Sequence, residues 1–324
     1  MRRRRFLLGS AAALAAACAP RVALPPASAA PAGAPSATPS EGDELDQISR
    51  LIQSGGPPPD GIPPVEQPKY VSIAEASKKW SDDDVVDTFT IEGQPRAYPR
   101  FITVWHEIVN EIAGGKPISI TYCPLTGSTL VFSGVLADGR ETTFGTSGML
   151  YNSNLVMYDR ATKSMWPQLF GVAVRGDLKG QRLTEMGGAV TSTFGRWKAK
   201  FPDGVVLSTD TGHVRTYGIS PYGTYDEERM VIFPVRHSDE RFHPKKVFVG
   251  VRANGAALAI PKLEFLEQGK EASFEVGGRK LVARHDQDLY AIRVLDRLTE
   301  EPVNAYEVMW FAWYAFNPNT EVLA

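Results

Sequence analysis

The sequence predicts a β-rich α+β fold of two related halves, an internal duplication in which the second copy is shortened. Three observations carry this. Strand-like runs at 85–91, 118–123, 128–135, 141–146, 154–159, 247–253 and 280–284 outnumber the helical stretches at 73–80, 100–112, 191–200 and 306–315. The runs come in hairpin-like pairs, most clearly "FSGVLADGRETTF", where Asp138-Gly139 makes the turn. Finally, three landmarks return in one order: Gly93–Pro99 as Gly255–Pro261, Asp159–Thr162 as Asp296–Thr299, and Trp197–Leu207 as Trp313–Leu323. The separation between matched landmarks shrinks along the chain, so the later copy is the shorter one.

In chain order, residues 1–29 read as an export signal. "MRRRRFLLGSAAALAAACAP" joins a basic stretch to an apolar run too short to span a bilayer. Arg3-Arg4-Arg5-Phe6-Leu7 fits the twin-arginine pattern. Ala15-Ala16-Ala17-Cys18 offers a lipobox that would acylate Cys18, and Ala27-Ser28-Ala29 offers a competing cleavage site. The expected location is periplasmic or cell-surface, with any membrane contact made through a lipid anchor at Cys18. Residues 30–60, rich in Pro, Ala, Ser and Gly, read as a disordered linker interrupted by a short helix at "DELDQISRLIQ".

Residues 61–210 form the first repeat and carry the candidate site. In "PRFITVWHEIVNEI", Phe101, Val104, Trp105, Ile108, Val109 and Ile112 make a helical stripe, with Gly114-Gly115 as its stop. "ISITYC" then alternates as a strand, and Pro124 ends its pairing. The chain has two cysteines, Cys18 and Cys123. Cleavage or acylation takes Cys18 out of thiol chemistry, so Cys123 stands alone in a compartment where disulfides would persist. Residues 211–246 connect this repeat to the second, shortened one at 247–324, whose single histidine, His285, is expected to lie outside the site.

Four stretches, "GIPPVEQPKYVSIAEA", "AYPRFITVWHEIVNEIAGGKPISITYCPLTGSTLVF", "TFGTSGMLYNSNLVMYDRATKSMWPQ" and "DTGHVRTYGISPYGTY", together resemble the DUF3179 family of exported bacterial and archaeal proteins. The resemblance covers 61–324 and implies no biochemical function. It does imply a second thiol, as C-P-L-C, where this chain has Thr126, so a dithiol cycle is excluded here.

Three readings of Cys123 follow. It is a buried core residue. Or it is a soft-metal ligand, with His106 and either Met157 or Met149 completing a donor set that suits copper. Or it is a nucleophile activated by His106, with Asn110 or Glu107 as orienter. The best reading of function is an exported protein that binds copper or takes part in redox chemistry through Cys123 and His106. The alternatives are a cysteine-nucleophile enzyme and a non-catalytic surface scaffold or ligand-binding module. Whether the protein is an enzyme stays open. "HEIVN" lacks the second histidine of a zinc helix, "GTSG" is not a nucleophile elbow, and phosphate-binding glycine motifs are missing. A net charge of −2 with no basic stripe beyond the leader argues against nucleic-acid binding. The tyrosine-rich loop "SPYGTYDEE" reads as turn and strand packing.

Overall fold

The computed structural model describes residues 41–269 and 271–323. The signal-peptide calls, including Cys18, lie outside the described residues. Strand accounts for 40% and helix for 14%, in five small sheets arranged as a five-bladed β-propeller.

Residues Ile108–Ala113, Lys116–Cys123 and Ser128–Ser133 pair as an antiparallel meander, with Glu185–Met186 on the free edge of the last. The neighbouring sheet holds Phe144–Tyr151, Asn154–Asp159 and Met165–Pro167, and its outer edge accepts Gln53–Ser54. Two further sheets are built on the hairpins Val85–Pro99 and Val247–Pro261, each extended by one parallel strand. A three-stranded meander at Glu271–Asp296 completes the five. The largest core lies between sheets and contains Cys123, Phe132, Phe144, Met157, Trp166 and Trp310.

The expectation of an α+β fold in two halves is corrected by this arrangement. The matched landmarks fall on hairpins, turns and helix-to-strand connections distributed over four of the five sheets, so they record local geometry that recurs between blades and not a bipartite fold. The Asp159 and Asp296 turns illustrate this. Each aspartate accepts backbone N–H bonds from the next few residues, and each turn closes through a residue at positive φ, Lys163 at 61° and Glu300 at 59°. The helices are short as well: among the described residues, none but Glu41–Leu51 exceeds 7 residues.

Two segments depart from expectation near the site. The helix expected at 100–112 is a single helical turn, Arg100–Thr103, followed by the strand Ile108–Ala113. Gly114 and Gly115, at φ of 57° and 74°, form the two-residue hairpin turn that matches strand twist, where the sequence suggested a helix stop. The short helix expected inside the linker is present as Glu41–Leu51, and it is not loose, because Leu45, Ile48 and Ile52 supply an apolar face that packs on Tyr151, Val156, Val172 and Val174. Residues 208–246 carry neither helix nor strand. Segments of that length in a compact fold commonly serve a binding function.

Candidate functional site

The candidate site is built on the reversal between Thr103 and Ile108. The Glu107 N–H donates to the Thr103 carbonyl at 2.7 Å, and the Glu107 carbonyl accepts the Tyr122 N–H at 2.7 Å. Glu107 itself sits at φ 58°. A left-handed non-glycine residue costs about 1–2 kcal/mol and persists only where its surroundings impose it. This turn sends the adjacent His106 and Glu107 side chains to different partners.

His106 is fully buried. Its Nδ1 lies 2.7 Å from the Pro63 carbonyl, which can only accept, so Nδ1 carries the proton. Its Nε2 then accepts the Tyr217 hydroxyl at 2.6 Å, and Tyr217 lies 2.6 Å from the Thr211 hydroxyl. Burial lowers the imidazole to about 4, so it is neutral at neutral pH. His106 thereby ties the 57–66 segment and the 208–246 segment to the turn.

Cys123 ends its strand with 1% exposure and accepts the Leu155 N–H at 3.4 Å. Burial, reinforced by the nearby Glu107 carboxyl, pushes the thiol up to about 11. It is therefore a neutral thiol, unlike the thiolate that nucleophilic or metal chemistry uses. Thr126, where the family pattern has a second thiol, belongs to a buried amide–hydroxyl network. Its Oγ1 lies 2.8 Å from the Ser128 hydroxyl and accepts the Asn154 side-chain N–H at 3.1 Å, and Ser128 donates to Gln168 at 3.0 Å.

The other expected site residues have partners of their own. Met157 is fully buried in the same core as Cys123, while Met149 lines a cavity. Asn110 ties strands together: it accepts the Ser119 hydroxyl at 2.6 Å and bonds the backbone of Phe144. No hydrogen bond joins His106 to Cys123, and both ring nitrogens of His106 are already engaged. Among the described residues, no three of His, Cys, Asp and Glu are grouped to hold a metal ion. The hydrogen bond that a Cys123–His106 catalytic pair would use is absent among the described residues. His285 lies in a different sheet, against Tyr290.

What the turn does assemble is an acid facing a cavity. The Glu107 side chain joins Leu125, Met149, Leu155, Tyr222 and Phe233 around a volume of about 250 Å³. Glu107 is 6% exposed and has no cation beside it. Burial raises its carboxyl to about 8, against the opposing pull of the nearby Tyr222 hydroxyl. At neutral pH the group is predominantly a neutral carboxylic acid. Tyr222 accepts no proton in exchange, because burial and the neighbouring Glu107 hold its own hydroxyl protonated. The acid O–H can donate to the Tyr222 oxygen or to a molecule in the chamber, whose lining is mainly apolar. The sequence pointed to Glu107 only as an orienter and to Tyr222 only as turn packing. The available signal was a glutamate inside the apolar run "TVWHEIV".

Among the described residues, no helix is long and apolar enough to cross a membrane. The chain matches the DUF3179 family, described as a protein of unknown function, over residues 59–320, and it belongs to that family. No curated protein and no solved structure matches it.

Proposed function

We propose that the protein binds a small, largely apolar organic molecule in the cavity beside Glu107, with the protonated carboxyl as hydrogen-bond donor to a neutral acceptor such as a carbonyl. The observation that carries this reading is a buried carboxyl without a cation, lining a largely apolar cavity. Burying a polar group with its donor unused is costly, and small-molecule sites typically combine an apolar lining with a few such convergent groups. The volume of about 250 Å³ suits a molecule smaller than most drug-sized ligands. Cys123 supports the wall from behind: its sulfur holds the N–H of Leu155, whose side chain lines the chamber.

Calorimetric titration with acetanilide, an aromatic ring carrying one amide, tests the reading. Saturable single-site binding is expected at neutral pH and is expected to weaken above about 8 as Glu107 ionises. Glu107→Gln keeps a donor but cannot ionise, so it should bind with a flat pH profile. Met149→Trp should fill the chamber and lower affinity at least about tenfold. Absence of saturable binding, or binding indifferent to Met149→Trp, contradicts the reading.

A further inference from the structure

The chamber has an outer neighbour. A cleft of about 550 Å³ shares Pro57, Ile62 and Tyr222 with it as common walls. Its lining also includes Trp105 and Arg215. Among the described residues no aspartate or glutamate lines this cleft. The Arg215 guanidinium donates only to the carbonyl of its chain neighbour Val214, at 2.9 Å, and forms no ion pair among the described residues. It is half-buried, and its charge bears on both His106 and Tyr217. A planar guanidinium left without a carboxylate, in a cleft that offers no other charge, is a ready partner for a carboxylate or phosphate oxygen pair.

We propose that the occupant of the inner cavity is an organic anion, with its neutral acceptor end inside at Glu107 and its charged end outside at Arg215, threaded past Tyr222. The inference rests on the cavity-binding reading above and adds the ligand class to it. The two polarities divide the labour. An anionic group would be repelled from the inner chamber as soon as Glu107 ionised, and it would have to leave its water on entry. In the outer cleft the same group stays partly hydrated and meets a fixed positive charge. Tyr222 is common to the linings of both spaces, and its hydroxyl lies near Glu107.

The test pairs acetanilide with 4-acetamidobenzoate, which differs by one carboxylate placed opposite the amide. At neutral pH the anion should bind about tenfold more tightly, the yield of one partly exposed charge-assisted contact. Added salt should shrink the advantage. Arg215→Gln should abolish it while leaving acetanilide binding unchanged, and Met149→Trp should weaken both ligands. Equal affinities for the two compounds in the unaltered protein, or an advantage that survives Arg215→Gln, overturns the proposal while the cavity reading stands on its acetanilide result. Failure of both compounds to bind overturns both.

Discussion

Two buried glutamates mark the two ends of one short piece of chain, and their surroundings differ. Glu111, in the Ile108–Ala113 strand, lies 2.6 Å from the Arg96 guanidinium and accepts the Tyr98 hydroxyl at 2.9 Å. Burial pushes it up to about 8, as it does Glu107, but a full positive charge in direct contact, itself stacked on Tyr70, favours the ionised form, and on that contact we read Glu111 as the anion of an ion pair. Glu107, four residues earlier, has no cation, one tyrosine hydroxyl nearby and a cavity that it lines. The same side chain is therefore a structural anion at one position and a neutral acid at the other. The difference teaches that burial alone does not mark a functional carboxyl. What sets Glu107 apart is burial without a compensating partner.

The comparison is sharpened most by neutralising each glutamate in turn. Glu111→Gln leaves Arg96, whose side chain is only 18% exposed, without its counter-charge, and unfolding titration should show a loss of about 3 kcal/mol. Glu107→Gln removes no counter-charge and relieves the folded chain of holding a proton that the unfolded chain releases above 4.5, so at neutral pH it should stabilise the protein, by up to about 3 kcal/mol. Equal losses in the two variants would break the distinction.

The pH dependence of stability gives a smaller effect with a definite sign. Glu107 is raised from 4.5 to about 8, so the folded state holds a proton that the unfolded chain has released. Its stabilisation is present below 4.5 and is lost as pH rises toward about 8. His106 is lowered from 6.5 to about 4 and acts oppositely, losing stability as pH falls through that window. Between 6.5 and about 8 the Glu107 effect stands free of His106, and stability should fall with rising pH by up to about 1.4 kcal/mol per unit. Denaturant midpoints measured across this range should keep that slope in Glu111→Gln and lose it in Glu107→Gln.

Cys123 should yield the smallest effect. Cys123→Ala removes a buried sulfur and should cost about 1–2 kcal/mol through the small void it leaves. Acetanilide affinity should be nearly unchanged. A thiol reagent should react with Cys123 only as the native protein opens, at a rate that follows unfolding. Rapid reaction in the folded state would return Cys123 to the centre of the site.

Much of the strand content was legible because the runs at 85–91, 154–159 and 247–253 carry their own apolar and β-branched pattern, and the structure has strands at those same positions. The error at 100–112 came from a chance helical stripe across a turn and a strand. Gly114-Gly115 fits both a helix stop and a hairpin turn, and only pairing with Lys116–Cys123 decides between them. The duplication reading failed at the level of architecture because short turns repeat their sequence signals wherever the local backbone repeats. At the site, the isolated thiol was conspicuous in the sequence, whereas Glu107 was not. Its character depends on the left-handed turn that carries it and on Tyr222, 115 residues further along the chain, brought over it by a segment with no regular structure. Neither condition has a periodicity that a sequence displays.

The account rests on Glu107 being a neutral acid at neutral pH, and infrared spectroscopy reads that state directly. The difference spectrum between the unaltered protein and Glu107→Gln should contain the carbonyl stretch of a protonated carboxylic acid, and that band should vanish as pH is raised through about 8. A carboxylate signature at neutral pH, with protonation appearing only near the ordinary glutamate value of 4.5, would contradict it.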